Sequence, residues 1–308
     1  MNKSKTQNFH LYEPQRALQG HKAQIYVAKF NFDGQYLLTG SQDRSIILWN
    51  PYKETQLKQY FGAHNYEVQD LAILQDNSKF ASCGGDKIAF LWDVSTGQVI
   101  KKFGPHSTRI NCVGIGGEQS ILATGGYDCE VKIWDLKDKK QNQPIQRIKE
   151  FQDSVTQISF QNHNMIISSI DGHIRTFDLR KGIIQEDFIK AGIFKFSSSF
   201  DDRLLALSCN DSIIRILEKS SGSILAALQG SHISNQYSIN CEFSWNDGML
   251  LTGSEDGKLL IYDILTGKCQ ITRKLHDKCL SSITLSKQQN AFVTASYDNV
   301  ALLWMEQN

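Results

Sequence analysis

The sequence is poor in proline and has no long apolar run. Only four prolines occur, Pro14, Pro51, Pro105 and Pro144, and all lie between the strands predicted below. This is expected because proline lacks the backbone N–H that strand pairing needs. No 18 apolar residues run together, which excludes a membrane-spanning helix, and the first twenty residues lack the apolar core of a signal peptide. We therefore predict a protein that is cytoplasmic and nuclear.

The sequence also lacks the residue spacings of metal ligands and an excess of charge of either sign. The seven cysteines never show the Cys-x-x-Cys spacing of a zinc or redox site. Lys and Arg number 33 against 32 Asp and Glu, so no overall field favours direct binding of nucleic acid or a membrane. No nucleophile elbow or phosphate-binding loop occurs either. We predict no catalytic, cofactor-binding or metal-binding residues and no cofactor.

What the chain does contain is a repeat of about forty residues. Seven similar segments each begin around an aspartate, at Asp43, Asp86, Asp128, Asp171, Asp211, Asp256 and Asp298. Six residues after each aspartate stands a large apolar residue, and an alternating apolar pattern lies between the two, which is typical of a strand. This period suits a four-stranded propeller blade, so we predict an all-β, seven-bladed β-propeller.

Four copies share two further positions. A histidine lies 22 residues before the aspartate, and a Thr or Ser lies four residues before it. Together with the tryptophan these residues resemble the structural tetrad of WD-repeat blades, in which four side chains form a hydrogen-bond chain. The predicted tetrads are His21, Thr39, Asp43 and Trp49; His64, Ser82, Asp86 and Trp92; His106, Thr124, Asp128 and Trp134; and His276, Thr294, Asp298 and Trp304.

The remaining copies depart from this pattern. Ile167 and Leu207 occupy the hydroxyl position of blades 4 and 5, and blade 6 has Tyr262 in place of tryptophan and a two-residue insertion. Because a buried polar network stabilises only when each member is satisfied, we predict that blades 4 and 5 form a softer arc.

The ends of the chain predict how the ring closes. The last repeat ends at Trp304 and supplies three strands, so its blade needs a fourth. Residues 11–19 stand where an outer strand would lie before blade 1, and pairing them onto blade 7 would remove an exposed edge. We predict one domain over residues 1–308, with residues 1–10 as a flexible tail and 11–19 as the closing strand.

By resemblance to WD-repeat proteins, three positions in each blade point onto the narrow face of the ring. They are the residue before the repeat aspartate and the residues three and five places after the histidine. Tyr and Arg are the residue types enriched in protein–protein hot spots, and several stand at these positions. The predicted partner-binding face comprises Gln24, Tyr26, Gln42, Glu67, Gln69, Arg109, Asn111, Tyr127, Glu255 and Tyr297.

The stretch Leu18 to Trp304 resembles the mitogen-activated protein kinase organizer family, including the segments GGDKIAFLWDVSTGQVIKKFGPH and SEDGKLLIYDILTGK. The resemblance implies a non-enzymatic scaffold that assembles kinase-cascade or spliceosomal proteins, as a monomeric subunit of larger complexes. An alternative is a substrate receptor of a cullin-type ubiquitin ligase. Phe177-Asp178-Leu179-Arg180 resembles the Trp-Asp-x-Arg box that docks to the ligase adaptor, with Arg180 as the contact.

Overall fold

Seven four-stranded antiparallel sheets make up the part of the chain that the computed structural model describes, residues 9, 12–138, 143–286 and 288–306. In six sheets the strands follow one another in chain order, and in the seventh the first strand of the chain pairs with the last. In each sheet the strand nearest the centre contacts the corresponding strands of the two neighbouring sheets, and these contacts form a closed ring. The predicted all-β, seven-bladed propeller is confirmed.

The strands of the first four blades are short and regular. Blades 1 and 2 comprise β2 (Ile25–Phe30), β3 (Leu37–Ser41), β4 (Ile46–Asn50), β5 (Thr55–Tyr60), β6 (Val68–Ile73), β7 (Lys79–Gly84), β8 (Ala89–Asp93) and β9 (Val99–Phe103). Blades 3 and 4 comprise β10 (Ile110–Gly116), β11 (Ile121–Gly126), β12 (Val131–Asp135), β13 (Gln146–Ile148), β14 (Val155–Gln161), β15 (Asn164–Ser169), β16 (His173–Asp178) and β17 (Ile183–Phe188). A 3-10 turn, Pro51–Lys53, follows β4.

The last three blades repeat the arrangement. Blades 5 and 6 comprise β18 (Ile193–Ser198), β19 (Leu204–Cys209), β20 (Ile214–Glu218), β21 (Ile224–Leu228), β22 (Cys241–Phe243), β23 (Met249–Thr252), β24 (Lys258–Asp263) and β25 (Cys269–Lys274). Blade 7 comprises β26 (Leu280–Leu285), β27 (Ala291–Ser296), β28 (Val300–Glu306) and β1 (Tyr12–Gln19).

The core is a set of wedges between blades. Each of seven clusters of buried apolar side chains in the described residues joins two neighbouring blades. Val27 packs into the wedge with blade 2, whereas the next residue, Ala28, packs into the wedge with blade 7. Because side chains alternate across a strand, the innermost strand β2 has two buried faces and serves both wedges, which explains its nearly continuous apolar sequence.

The turn after each repeat aspartate has a left-handed residue in every blade. These residues are Arg44 (φ 70°), Lys87 (φ 63°), Cys129 (φ 59°), Gly172 (φ 84°), Ser212 (φ 60°), Gly257 (φ 80°) and Asn299 (φ 73°). Only two are glycine, so the other five residues adopt a left-handed conformation that residues with a side chain normally avoid. The preceding aspartate supports it in blade 1, where Ser45 N–H donates to Asp43 Oδ1 at 2.9 Å.

Closure of the ring occurs as the sequence predicts. Strand β1 pairs antiparallel with β28, with Leu18 opposite Ala301. One expectation is wrong: Pro14 lies inside β1 rather than between strands. It sits where the register shifts, on an outermost strand, and both features explain why a residue without an N–H is accepted there.

Folded structure also extends into the segment predicted as a tail. Phe9 is buried, and its ring lies 5.2 Å from the ring of Tyr12 and 6.1 Å from that of Trp245. Burial of an aromatic side chain anchors the backbone next to it, so the prediction of a flexible tail over 1–10 is wrong at Phe9. The rest of that segment lies outside the described residues.

Candidate functional site

Four side chains form a continuous hydrogen-bond chain in blade 1. Trp49 Nε1 donates to Thr39 Oγ1 at 2.9 Å, and Thr39 Oγ1 lies 2.7 Å from His21 Nε2. His21 Nδ1 in turn lies 2.9 Å from Asp43 Oδ2. A carboxylate only accepts hydrogen bonds, so Nδ1 carries the proton that faces Asp43. The chain therefore joins the third strand, the second strand, the entering loop and the hairpin turn of the blade.

The same chain recurs in three further blades. His64, His106 and His276 each lie 2.7–3.0 Å from the hydroxyl of the following Ser or Thr and 2.6–3.0 Å from the repeat aspartate. The tryptophans of these blades donate to the same hydroxyls at 2.8–3.0 Å. The structure thus brings together all sixteen residues of the predicted tetrads.

Three tetrad aspartates, Asp43, Asp128 and Asp298, are held in their charged form. Burial alone would raise the pKa of Asp43, but hydrogen bonds from His21 and Ser45 hold it well below its ordinary value. The pKa values of Asp128 and Asp298 are lowered in the same way by His106 and His276. Hydrogen bonds to the ionised carboxylate therefore outweigh its desolvation.

Blades 4 and 5 use arginine where the other blades use histidine. Arg175 Nη1 lies 3.0 Å from Asp171 Oδ2, and the Arg175 guanidinium lies 4.8 Å from the ring centre of Phe151. Arg215 Nη2 likewise lies 2.6 Å from Asp211 Oδ2. Sequence reasoning missed both arginines, although each stands four residues after the repeat aspartate in the two blades without a hydroxyl.

Blade 6 has a third arrangement. His232 Nδ1 lies 3.0 Å from the Tyr262 hydroxyl, so histidine and aromatic residue meet directly. Burial lowers the pKa of His232 to about 4. The two-residue insertion is held by Glu255, whose Oε1 accepts the backbone N–H groups of Asn235, Gln236 and Tyr237 at 2.6–3.1 Å.

Most of the predicted partner-binding residues gather around one mouth of the central channel. The channel is a cavity of about 940 Å³, and seven predicted residues line it: Gln24, Tyr26, Gln69, Arg109, Asn111, Tyr127 and Tyr297. Glu67 lines an adjoining pocket together with Arg109 and Tyr127. The backbone N–H of Gln42 donates to the carbonyl of Gln24, which places Gln42 next to this mouth.

Several of these residues are occupied by contacts within the ring. Asn111 Nδ2 donates to the Val155 carbonyl at 2.9 Å and so links blades 3 and 4. Only 8% of Tyr297 is exposed, so it forms a wall of the mouth rather than a projecting contact. Gln42, Arg109 and Tyr127 are exposed.

Two exposed tyrosines at the mouth were missed. Tyr66 lines the adjoining pocket and Tyr237 lines the channel, and about half of each side chain is exposed. Tyr237 stands five residues after His232, just as Tyr26 stands five residues after His21 in blade 1. The insertion in blade 6 obscured this match.

Other sites of interest lie away from the mouth. Arg180 is exposed in the turn after β16, where its backbone N–H donates to Asp178 Oδ1 at 2.9 Å. Within the described ranges there is no group of three or more His, Cys, Asp or Glu side chains that could hold a metal ion. Nor does any described helix have the length and apolarity needed to cross a membrane.

A closed ring of seven blades with tetrads in four of them defines a WD40-repeat β-propeller. Comparison with family models agrees: residues 12–50 match "WD domain, G-beta repeat", and residues 65–264 match "Nucleolar protein 10-like, N-terminal domain".

Curated relatives narrow the family. The chain is 31% identical to WD repeat domain-containing protein 83 homolog of Dictyostelium discoideum, over 94% of this chain and 97% of the relative. It is 32% identical to WD repeat domain-containing protein 83 of Homo sapiens, over 92% of this chain and 89% of the relative. It is also 31% identical to the U5 small nuclear ribonucleoprotein 40 kDa protein of Dictyostelium discoideum, over 58% of this chain and 49% of the relative. The chain belongs to the WD repeat domain-containing protein 83 family, the mitogen-activated protein kinase organizer family that its sequence resembles.

Proposed function

We propose that the protein is a non-enzymatic scaffold that assembles multiprotein complexes through the narrow face of its ring. The observation that carries this proposal is the mouth of the channel. There, exposed tyrosines and Arg109 stand on loops and turns between strands that are braced by tetrads and by seven apolar wedges. A rigid ring presents such side chains without the entropy cost of ordering them, and this favours binding.

The setting that we propose is a splicing complex. Among relatives that match about half of the chain, one is named a pre-mRNA-splicing factor and another a U5 small nuclear ribonucleoprotein protein. This favours a nuclear role with spliceosomal proteins as partners, in a protein that is both nuclear and cytoplasmic. Assembly of kinase-cascade components is the second setting, and it is supported by membership of the organizer family.

Affinity purification of the intact tagged protein from its own cells tests this proposal. We expect spliceosomal proteins to be recovered with the wild-type chain and to be lost with the double variant Arg109→Ala/Tyr127→Ala. The matched control is Lys268→Ala, an exposed residue in the β24–β25 turn, which should leave recovery unchanged. Recovery of kinases instead would select the signalling setting. Full recovery with the double variant would exclude the narrow face.

The ligase-receptor alternative has its own test. Arg180 is exposed and therefore accessible to an adaptor. Arg180→Ala should abolish recovery of a cullin-ligase adaptor if this alternative holds, with the neighbouring exposed Lys181→Ala as control. Absence of adaptor from the wild-type purification, or unchanged recovery with Arg180→Ala, would remove it.

A further inference from the structure

Three tyrosines from three different parts of the ring meet at the channel mouth. The ring centres of Tyr26 and Tyr297 are 5.2 Å apart and nearly perpendicular, and those of Tyr237 and Tyr297 are 5.3 Å apart and also nearly perpendicular. We call these three residues the tyrosine cluster. All three line the central cavity, and Tyr237 is 43% exposed. The cluster therefore presents aromatic surface to whatever enters the channel.

The cluster is held in place by contacts of the surrounding loops. The backbone N–H of Tyr237 donates to Glu255 at 3.1 Å, and the two preceding backbone N–H groups donate to the same oxygen. The backbone N–H of Tyr297 donates to the Cys279 carbonyl at 2.9 Å. A ring arrangement that exists before a ligand arrives costs little entropy on binding.

Charge at the mouth favours a cation beside these rings. Burial raises the pKa of both Tyr26 and Tyr297. The charge of Glu67 adds to the rise at Tyr26 and that of Glu255 adds to the rise at Tyr297, so two carboxylates act on the cluster. Arg109, a cation that also acts on Tyr26, lies 5.2 Å from the ring centre of Tyr127. The faces of tyrosine rings carry negative potential, which adds to that of the carboxylates.

We propose that the tyrosine cluster binds an arginine or lysine side chain of a partner protein that inserts into the channel mouth. The proposal rests on the scaffold function and names the chemistry that its face recognises. The cation lies against the tyrosine rings, and the amide groups of Gln24, Gln69 and Gln236, which line the same cavity, supply acceptors for its N–H groups.

Peptide pools with one fixed central residue test this inference on the full chain. The central residue is arginine, lysine, citrulline, norleucine or glutamate, and the flanking positions are randomised over uncharged residues. Immobilised protein should retain the arginine and lysine pools about tenfold more than the citrulline and norleucine pools, a ratio expected of a partly desolvated cation–π contact. Comparison of the first two pools distinguishes a guanidinium from an ammonium group.

Three variants assign the retention to the cluster. Tyr237→Ala should remove most of the preference for the cation, whereas Tyr237→Phe, which keeps the ring, should retain it. The matched control is Tyr66→Ala, which removes an exposed tyrosine from the same face but outside the cluster. Circular dichroism and thermal melting verify that each variant is folded, as the exposure of Tyr237 leads us to expect.

Several outcomes would overturn the inference. Equal retention of arginine and norleucine would make the mouth an apolar pocket, and a preference for glutamate would assign it to Arg109. A preference for cations that survives Tyr237→Ala, or no selective retention of any pool, would remove the cluster as the site. Because the pools contain no natural partner, each of these results leaves the scaffold proposal standing, and the affinity purification tests that separately.

Discussion

The ring divides into two arcs that differ in how the repeat aspartate is bound. Closure makes blades 7, 1, 2 and 3 contiguous, and all four carry the tetrad, so we call them the tetrad arc. Blades 4, 5 and 6 form the variant arc. In the tetrad arc the repeat aspartate binds a histidine 22 residues away, whereas in blades 4 and 5 it binds an arginine four residues away.

The difference concerns which parts of a blade are tied together. A histidine in the entering loop links that loop to both the hairpin turn and the second strand. The arginine and aspartate belong to one hairpin, so their ion pair neutralises the carboxylate without the same tie. Blade 4 retains links to the loop, since Gln152 N–H donates to Asp171 at 3.1 Å and the Arg175 guanidinium lies over the ring of Phe151. We expect blades 4 and 5 to open locally before the tetrad arc does, because local contacts restrain less of the chain.

Removal of a tetrad histidine should have the largest effect. His106→Ala leaves Asp128 and Thr124 without their buried partner and creates a cavity, so we expect a loss of about 4 kcal/mol in the free energy of unfolding. Urea denaturation measures this loss. His163→Ala, an exposed histidine of blade 4, is the control and should change stability by less than about 0.5 kcal/mol. Similar values for the two variants would contradict a structural role for the tetrad.

Acidification should weaken blade 6 at a pH that leaves Asp43, Asp128 and Asp298 ionised. The pKa of His232 is lowered to about 4 from an ordinary 6.5, so between these values the unfolded chain binds a proton that the folded chain does not. Stability should therefore fall by about 3 kcal/mol as the pH drops through this window. The stability that the lowered carboxylate pKa values contribute is complete above their ordinary value of 3.8 and is lost only below it.

The variant His232→Gln isolates this contribution. Its denaturation midpoint should depend less on pH between 6.5 and 4 than that of the wild type, because glutamine does not titrate. A wild type and variant with parallel pH profiles would show that His232 is not buried in its uncharged form.

Loss of the blade 4 arginine should cost less than loss of a tetrad histidine. Arg175→Met keeps much of the apolar volume but removes the cation from buried Asp171, which still accepts backbone N–H groups from Gln152 and His173. We expect a loss of about 2 kcal/mol in urea denaturation. Arg180→Met, at an exposed arginine of the same blade, should be nearly neutral. A loss equal to that of His106→Ala would remove the distinction between the arcs.

The smallest effect should come from blade 5. Asp211 is 36% exposed on its side chain, so solvent screens its pairing with Arg215. Arg215→Met should therefore reduce the free energy of unfolding by about 1 kcal/mol. Hydrogen exchange should show faster opening of β20 and unchanged exchange in β4. Faster exchange across the whole ring would mean that the two arcs unfold as one unit.

Much of the framework could be predicted because it depends on spacing along the chain. Each tetrad uses fixed separations of 22, 4 and 6 residues from the aspartate, and a hairpin of constant length converts these separations into contacts. The closing strand was predictable because blade 7 lacked a strand and a sheet edge needs a partner. Arg175 and Arg215 also left a signal, an arginine at the same position in the two blades without a hydroxyl.

Contacts between blades left no such signal. Gln157 binds the backbone of Phe196 through both its amide oxygen and nitrogen, and Asn240 does the same at Ile283. Asp70 is buried, is paired with Lys29 and accepts the N–H of Val113 in the next blade. From the sequence these are polar residues within or next to strands that carry buried apolar residues. Their partners depend on which residues of the next inner strand lie opposite, and that is a property of the closed ring.

From its sequence alone this protein is a seven-bladed propeller, since the repeat period, the alternation of apolar residues and the tetrad spacings are local and each blade obeys them independently. The arrangement of side chains at the channel mouth was decided by the tertiary structure. Tyr26, Tyr237 and Tyr297 are far apart along the chain, and Tyr297, predicted to project from the face, became a buried wall between the other two. Only the packing of blades 6, 7 and 1 in the closed propeller brings these three tyrosine side chains together.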